Sequence, residues 1–321
     1  DKHRLLDHLL KVYNISEEEF YNNWKWQKDN LIRNPEKLFE VFPYFTEEEK
    51  DNIKKVCKKY SMLISPYYLS LIDPFNPNDP IKKQAIPSIE EITLNYGYED
   101  PLREEEHQPI EGLIHRYPDR ALILTTNFCM TYCRHCTRKR ILGKARCIAT
   151  YKNWDKILDY IKNSDIREII ISGGDPLTLP ISKLEKILED INKIDKIEVI
   201  RIGSRVPVTL PMLLYDEKIL NVLSRYSDRL WFMTHFNHPR EINEYSKKAI
   251  KNITKLGIPV FNQSVLLKGI NNDVDVMREL LTRLISIKVK PYYLFYCDET
   301  IGTDHFRTDV MEGVEILEKL R

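Results

Sequence analysis

The sequence predicts an α/β protein, with six parallel strands closing towards a barrel and a helical region ahead of them. Three observations carry this. From Ala121 onward, short apolar runs alternate with longer amphipathic segments six times. Before about Tyr98 the apolar residues recur at helical spacing instead, and beyond it polar residues collect where each apolar run ends.

Taken in order, Leu5, Leu6, Leu9, Leu10 and Tyr13 fall on one helix face, and the same spacing runs from Phe39 to Ile53. Pro66, Pro74, Pro77, Pro80 and Pro87 then predict an extended connector, since proline has no N–H for a helix interior. Residues 1–98 are therefore expected to be a helical region and connector packed on residues 99–321. Strands are expected at 121–126, 168–172, 197–202, 230–236, 260–265 and 291–296, each short and apolar as in a buried parallel sheet. Helices fit at 154–163, 182–194, 241–256 and 274–287, with a last one at 310–320. In a barrel the strand C-termini converge on one face, so Asn127, Ser172-Gly173-Gly174-Asp175, Ser204-Arg205, His235 to His238, Asn262-Gln263-Ser264 and Cys297-Asp298 are expected to share a site.

Composition narrows the class. The chain of 321 residues is 42% hydrophobic, and its 49 basic residues nearly balance 48 acidic ones. Bulk charge thus gives no support to a nucleic-acid partner. No apolar run reaches the ~18 residues of a membrane span, and no signal layout opens the chain, so a cytoplasmic protein with no membrane partner is expected. The chain opens on Asp1 rather than Met and stops at Arg321 after a helical pattern, which suggests a piece of a longer protein.

Of six cysteines, Cys129, Cys133 and Cys136 crowd into a CxxxCxxC motif directly after the first predicted strand. Such clustering points to metal before disulfides. Three thiolates can hold three irons of a [4Fe–4S] cluster and leave the fourth open, whereas an electron-transfer cluster usually takes four. An open iron beside a bound sulfonium can donate one electron and release a 5′-deoxyadenosyl radical. A Cys₃His zinc site using His135 competes, but His135 is adjacent to Cys136, and neighbours rarely face one ion. Cys57, Cys147 and Cys297 read as packing residues. The Ser172-Gly173-Gly174-Asp175 turn allows close backbone approach to a ligand, and its carboxylate suits the amino group of S-adenosylmethionine (SAM).

Longer blocks carry a resemblance. His115-Arg116-Tyr117-Pro118-Asp119-Arg120, Tyr132 to Arg138, Ile202 to Arg205, Thr234 to Pro239, Asn262 to Leu267, Pro291-Tyr292-Tyr293, Cys297-Asp298 and His305 to Thr308 together resemble the lysine 2,3-aminomutase family of radical SAM enzymes. The resemblance runs from about Ile89 to Arg321. It implies a radical SAM partial (βα)₆ barrel, and a reaction that moves an amino group between C2 and C3 of an amino acid bound to pyridoxal phosphate (PLP), so that L-lysine gives β-lysine.

By position it implies that Arg116, Tyr117 and Arg120 grip the PLP phosphate, which suits two guanidinium forks and a phenol. Arg138 is expected to pair with the substrate carboxylate, and Asp298 with the distal amine. His235 and Gln263 are expected SAM contacts, and with His135, Gly173, Gly174 and Asp175 they complete the cofactor-binding set. The implied partners are an amino acid substrate and an electron donor such as a flavodoxin or ferredoxin; a homo-oligomer is left open. The family's PLP-anchoring lysine and a second amine-binding aspartate would lie beyond Arg321, and Asp273 stands where some relatives place a zinc-binding Cys, so that zinc site is not expected. An aminomutase acting on glutamate or arginine is the alternative within the class, with Asp298 arguing against glutamate. From another class, a radical SAM scaffold without PLP-dependent activity also fits.

Overall fold

The computed structural model describes residues 2–144 and 148–320, with side chains described from Leu5 on. Cys147 therefore lies outside the described residues.

The N-terminal helices begin where short polar side chains can accept a free backbone N–H. Helix α1 (Lys2–Tyr13) buries Leu5 and Leu9 completely, as its spacing predicts. Ser16, Asn23 and Asn34 cap α2 (Glu17–Asn22), α3 (Trp24–Asp29) and α4 (Pro35–Val41) in turn. The single helical stretch expected from Phe39 to Ile53 is two helices. Pro43 cannot continue the first, and the chain restarts in a Thr46–Glu49 capping box that opens α5 (Glu47–Cys57).

The extended connector is corrected too. Pro66 and Pro80 each stand at a helix start, in α6 (Pro66–Ser70) and α7 (Pro80–Ala85), capped by Ser65 and Asp79. There the missing N–H costs nothing and the fixed φ is already helical. A single turn, α8 (Glu90–Thr93), ends the region.

Seven strands follow in one sheet whose spatial order is the chain order: β1 (Leu113–Tyr117), β2 (Arg120–Leu124), β3 (Glu168–Ser172), β4 (Val199–Gly203), β5 (Leu230–Thr234), β6 (Val260–Val265) and β7 (Val289–Phe295). From β2 to β7 every neighbouring pair is parallel, as expected. The antiparallel β1 was not foreseen; it joins β2 through the tight Pro118-Asp119 turn, with Tyr117 opposite Arg120. Pro291 falls inside edge strand β7, where the register shifts opposite Asn262 and Gln263, as suits a residue with no N–H to donate.

Between strands run α9 (Trp154–Lys162), α10 (Ile181–Asn192), α11 (Val206–Thr209), α12 (Glu217–Arg225), α13 (Glu244–Lys255) and α14 (Val274–Ser286); α15 (Val310–Lys319) comes last. Helix α13 starts three residues later than its apolar pattern suggests, because Asn243 and Ser246 form the capping box that opens it.

Alternation sorts the strand residues. Ile169, Ile171, Ile200, Ile202, Phe232 and Val260 are buried in one core that also takes in Leu5, Leu9, Phe20 and Tyr67 of the N-terminal helices. The alternate face holds Glu168, Ser172, Arg201, Trp231, Phe261 and Gln263, where Arg201 pairs with Glu168 at 3.0 Å and Trp231 stacks on Phe261. These strands are therefore amphipathic rather than buried on both faces, which is what a barrel with a working interior requires. Among the described residues no helix is long and apolar enough to cross a membrane.

Candidate active site

The cysteine loop is held from three sides. Gly174 and Asp175 donate backbone N–H groups to the carbonyls of Thr126 (2.6 Å) and Phe128 (2.8 Å), zipping the β3 loop onto the segment before Cys129. A Cβ on Gly173 would meet the Thr126 carbonyl oxygen at 2.3 Å, and one on Gly174 the Phe128 oxygen at 2.4 Å. The close approach that these glycines permit brings loop against loop. The N-terminal region supplies the second side: Tyr132 donates its N–H to Leu63 and Arg134 to Gln84. The third is a buried ion triad, in which Glu91 of α8 takes Arg134 (2.6 Å) and Lys139 (2.7 Å). Burial alone would raise the Glu91 carboxyl, but the two cations hold it down at about 2. Lys139 is drawn down to about 8 by burial, against the pull of Glu91.

Cys129, Cys133 and Cys136 are all partly buried and feel one another's charge. Burial pushes the Cys129 thiol well up and Cys136 to about 11, with the neighbouring thiols adding to both. Cations at this spot would reverse that and favour the thiolates. Cys133 Sγ accepts Arg205 Nη1–H at 2.8 Å, and Cys136 Sγ accepts the Arg138 backbone N–H at 3.4 Å. Among the described residues, no three His, Cys, Asp or Glu side chains converge on a single-ion site. Three thiols on one loop suit a multi-iron cluster. His135 adds a buried Nδ1 with no partner, a group that a bound ligand could satisfy. Of the cysteines read as packing residues, Cys297 is buried with Leu267, Ile270 and Phe306, and Cys57 packs on the main core.

Arg205 is the residue that sequence reasoning passed over, noted only as a polar strand end. Its guanidinium also reaches Glu241 (2.7 Å), Gln84 (2.6 Å), Tyr68 (3.2 Å) and the His235 carbonyl (3.0 Å). It therefore ties the cysteine loop to β5 and to the N-terminal helices. His235 sits beside it, its Nδ1 to Gln263 carbonyl distance 2.9 Å. Asp175 is not open to a ligand on every side, for it accepts from Ser204 Oγ (3.0 Å) and the N–H groups of Arg205 (2.8 Å) and Leu177 (3.1 Å). Burial nonetheless raises its carboxyl to about 6, so its ionised form would gain from a cation.

Arg138 faces the same mouth. Glu104, in the loop before β1, takes its Nε at 3.0 Å and Nη2 at 2.7 Å, while Nη1 reaches Ser172 Oγ at 3.2 Å. Burial would raise the Glu104 carboxyl, but Arg138 and then Arg140 outweigh it and hold it low. Asp298 lies within electrostatic reach of both Arg138 and Glu104; burial raises its carboxyl, and the Thr137 hydroxyl partly offsets that. Among the described residues Asp298 makes no ion pair.

Arg116, Tyr117 and Arg120 lie elsewhere, at the β1–β2 turn, so they occupy the opposite end of the barrel from the cysteines. With ~3.3 Å per residue, β2 alone separates the ends by roughly 13 Å. Both guanidiniums stand over the half-exposed Tyr117 ring, at 5.8 and 5.6 Å, and Arg120 is felt by Tyr293 of β7 on the far side of the sheet. The cysteine, His235, Asp175, Arg138 and Asp298 groups follow strand C-termini, as the shared-face expectation has it, while these three residues, which were not part of it, sit where β2 begins. Two forked cations around a phenol suit a phosphate.

A parallel strand-by-strand barrel with a triple-cysteine loop at its mouth defines a class, and the Radical SAM superfamily matches residues 123–281. Comparisons over nearly the whole of this chain go further. The L-lysine 2,3-aminomutase of Clostridium subterminale is 46% identical over 303 residues, covering 94% of this chain and 72% of that protein. That of Acetoanaerobium sticklandii is 45% identical, covering 97% and 75%. A glutamate 2,3-aminomutase of Clostridioides difficile is 42% identical, covering 98% and 74%. The chain belongs to the 2,3-aminomutase family of radical SAM proteins. It is accordingly an isomerase, of a family that works with a [4Fe–4S] cluster and SAM.

Proposed function

We propose that this isomerase interconverts L-lysine and β-lysine, with PLP as a further cofactor. The observation that carries the reading is Asp298, a half-buried carboxylate with no ion-pair partner among the described residues, at the mouth that also holds Arg138. An unpaired buried carboxylate is costly, and a lysine ε-ammonium would satisfy it. A glutamate side chain would be repelled.

In this reading Cys129, Cys133 and Cys136 hold the cluster, with Arg205 Nη1 donating a hydrogen bond to the Cys133 sulfur. His135, Gly173, Gly174, Asp175, His235 and Gln263 surround SAM, Asp175 meeting its ammonium group and His135 Nδ1 gaining a partner. Arg116, Tyr117 and Arg120 grip the PLP phosphate at the far end of the barrel. When bound, cluster and SAM supply a carbon radical, and PLP delocalises the unpaired spin. The chain's part is to hold the amino acid at both ends, carboxylate on Arg138 and ammonium on Asp298, so that one carbon faces the radical source. Its barrel keeps water and quenching groups away.

The test is turnover of lysine, glutamate and norleucine by the full-length gene product and its Asp298→Asn variant, each reconstituted anaerobically. Lysine kcat/KM should fall more than tenfold in the variant, equivalent to at least about 1.4 kcal/mol. Iron content and substrate-free SAM cleavage should persist. Undiminished lysine turnover in the variant, or a wild-type preference for glutamate, would overturn the assignment.

A further inference from the structure

Between Asp100 and Glu106, the loop before β1 carries four carboxylates, and one of them does something the others do not. Asp100, Glu105 and Glu106 are at or near the surface, whereas Glu104 is buried. Its carboxylate lies side-on to Arg138, with Nε at 3.0 and 3.1 Å from the two oxygens and Nη2 at 2.7 Å. Side-on pairing occupies Nε and one Nη2 hydrogen. Nη1 is directed to Ser172 Oγ (3.2 Å) and, more weakly, to the Gly173 carbonyl (3.5 Å), at the end of β3. One Nη2 hydrogen is then left on the edge of the guanidinium that faces away from Glu104.

Glu104 is itself anchored. Arg140 Nη2 sits 3.4 Å from its second oxygen, and Arg140 is in turn pinned by Asp100 (3.0 Å) and Glu105 (3.2 Å). The loop accepts backbone strain to reach this arrangement, since Arg103, immediately before Glu104, has φ +51°. An incoming carboxylate that displaced Glu104 would leave it buried with Arg140 alone, so displacement is disfavoured.

We infer that Glu104 is a positioning residue, holding Arg138 side-on so that the free edge of its guanidinium is turned to the carboxylate of the amino acid substrate. The inference rests on the reading that Arg138 meets that carboxylate. A mobile arginine would lose rotamer freedom at each binding event, and Glu104 removes that loss in advance.

The experiment uses the full-length gene product loaded with cluster, SAM and PLP, and compares wild type with Glu104→Gln, Arg138→Gln and the double variant. KM for L-lysine should rise at least tenfold in Glu104→Gln, with kcat changed less. The double variant should be no worse than Arg138→Gln, because Glu104 acts through Arg138. The inhibition constant of 1,5-diaminopentane, the same chain without a carboxylate, should stay within about twofold, a result that a general structural collapse would not give. If Glu104→Gln loses iron or SAM binding, Glu104→Asp keeps the charge while drawing the carboxylate back from Arg138, and the same split between lysine and diaminopentane is read. An unchanged or lowered KM in the Glu104 variant, or a parallel rise for diaminopentane, overturns the inference. If Arg138→Gln itself leaves KM unchanged, the carboxylate reading falls instead.

Discussion

Burial turns His235 into a group that resists protonation. Its Nδ1 must carry the hydrogen, because the Gln263 carbonyl 2.9 Å away can only accept. Burial first, and the positive charge of Arg205 second, push it down to about 4. An unfolded histidine titrates near 6.5, so this group's contribution is fully present above that value and is lost as pH falls towards 4. Between pH 7 and 5 the loss amounts to about 2 kcal/mol. His235→Gln should therefore flatten the stability change between those two pH values by about that amount, read from urea unfolding of the iron-free chain. Equal pH dependence in wild type and variant would mean that His235 is protonated as easily folded as unfolded.

At the scale of elements, the contact that matters is between two loops. The β3 loop and the cysteine loop follow neighbouring parallel strands, and they meet backbone to backbone because Gly173 and Gly174 have no side chains. Gly174→Ala would set a Cβ 2.4 Å from the Phe128 oxygen and 2.7 Å from its N and C atoms, all backbone, so no rotamer change can relieve it. Overpacking of this kind costs typically about 1–3 kcal/mol. The expected result is a loss of that size in urea unfolding, together with fewer than the wild-type irons per chain after reconstitution. Wild-type iron content in a destabilised variant would show that the two loops are not coupled.

For the whole molecule, residues before Tyr98 brace the site as well as sharing the barrel's core. Tyr68 and Gln84 reach Arg205, and Glu91 pairs with Arg134 and Lys139 of the cysteine loop. Glu91→Ala would leave Arg134 and Lys139 buried without a counter-charge. Breaking a buried ion pair from one side costs about 3–5 kcal/mol, far more than the intact pair contributes. We expect a stability loss in that range and poor iron retention at room temperature, while Glu47→Ala, which removes an exposed pair with Lys50, should change neither measurably. A Glu91→Ala protein as stable as wild type would mean that the N-terminal region merely covers the barrel.

Local information made much of this legible. The six parallel strands could be read because each is a short apolar run ended by polar residues, and Cys129, Cys133, Cys136 and the Ser172-Gly173-Gly174-Asp175 turn could be found because their meaning lies in spacing along a few residues. Strand β1 escaped because it is only five residues long and turns back at once through Pro118-Asp119. Helices α6 and α7, which start on Pro66 and Pro80, escaped because proline signals a helix start and a helix break alike, and only the packed neighbours distinguish them. Pairings such as Glu104 with Arg138, Arg205 with Cys133 and Glu91 with Arg134 join residues 34, 72 and 43 positions apart. No periodicity reports those distances. The sequence by itself determined the parallel α/β architecture, the family and the residue types of the site. Tertiary structure alone decided which charges meet, because a buried ion must find its counter-ion wherever the fold brings one within reach, however distant in the chain.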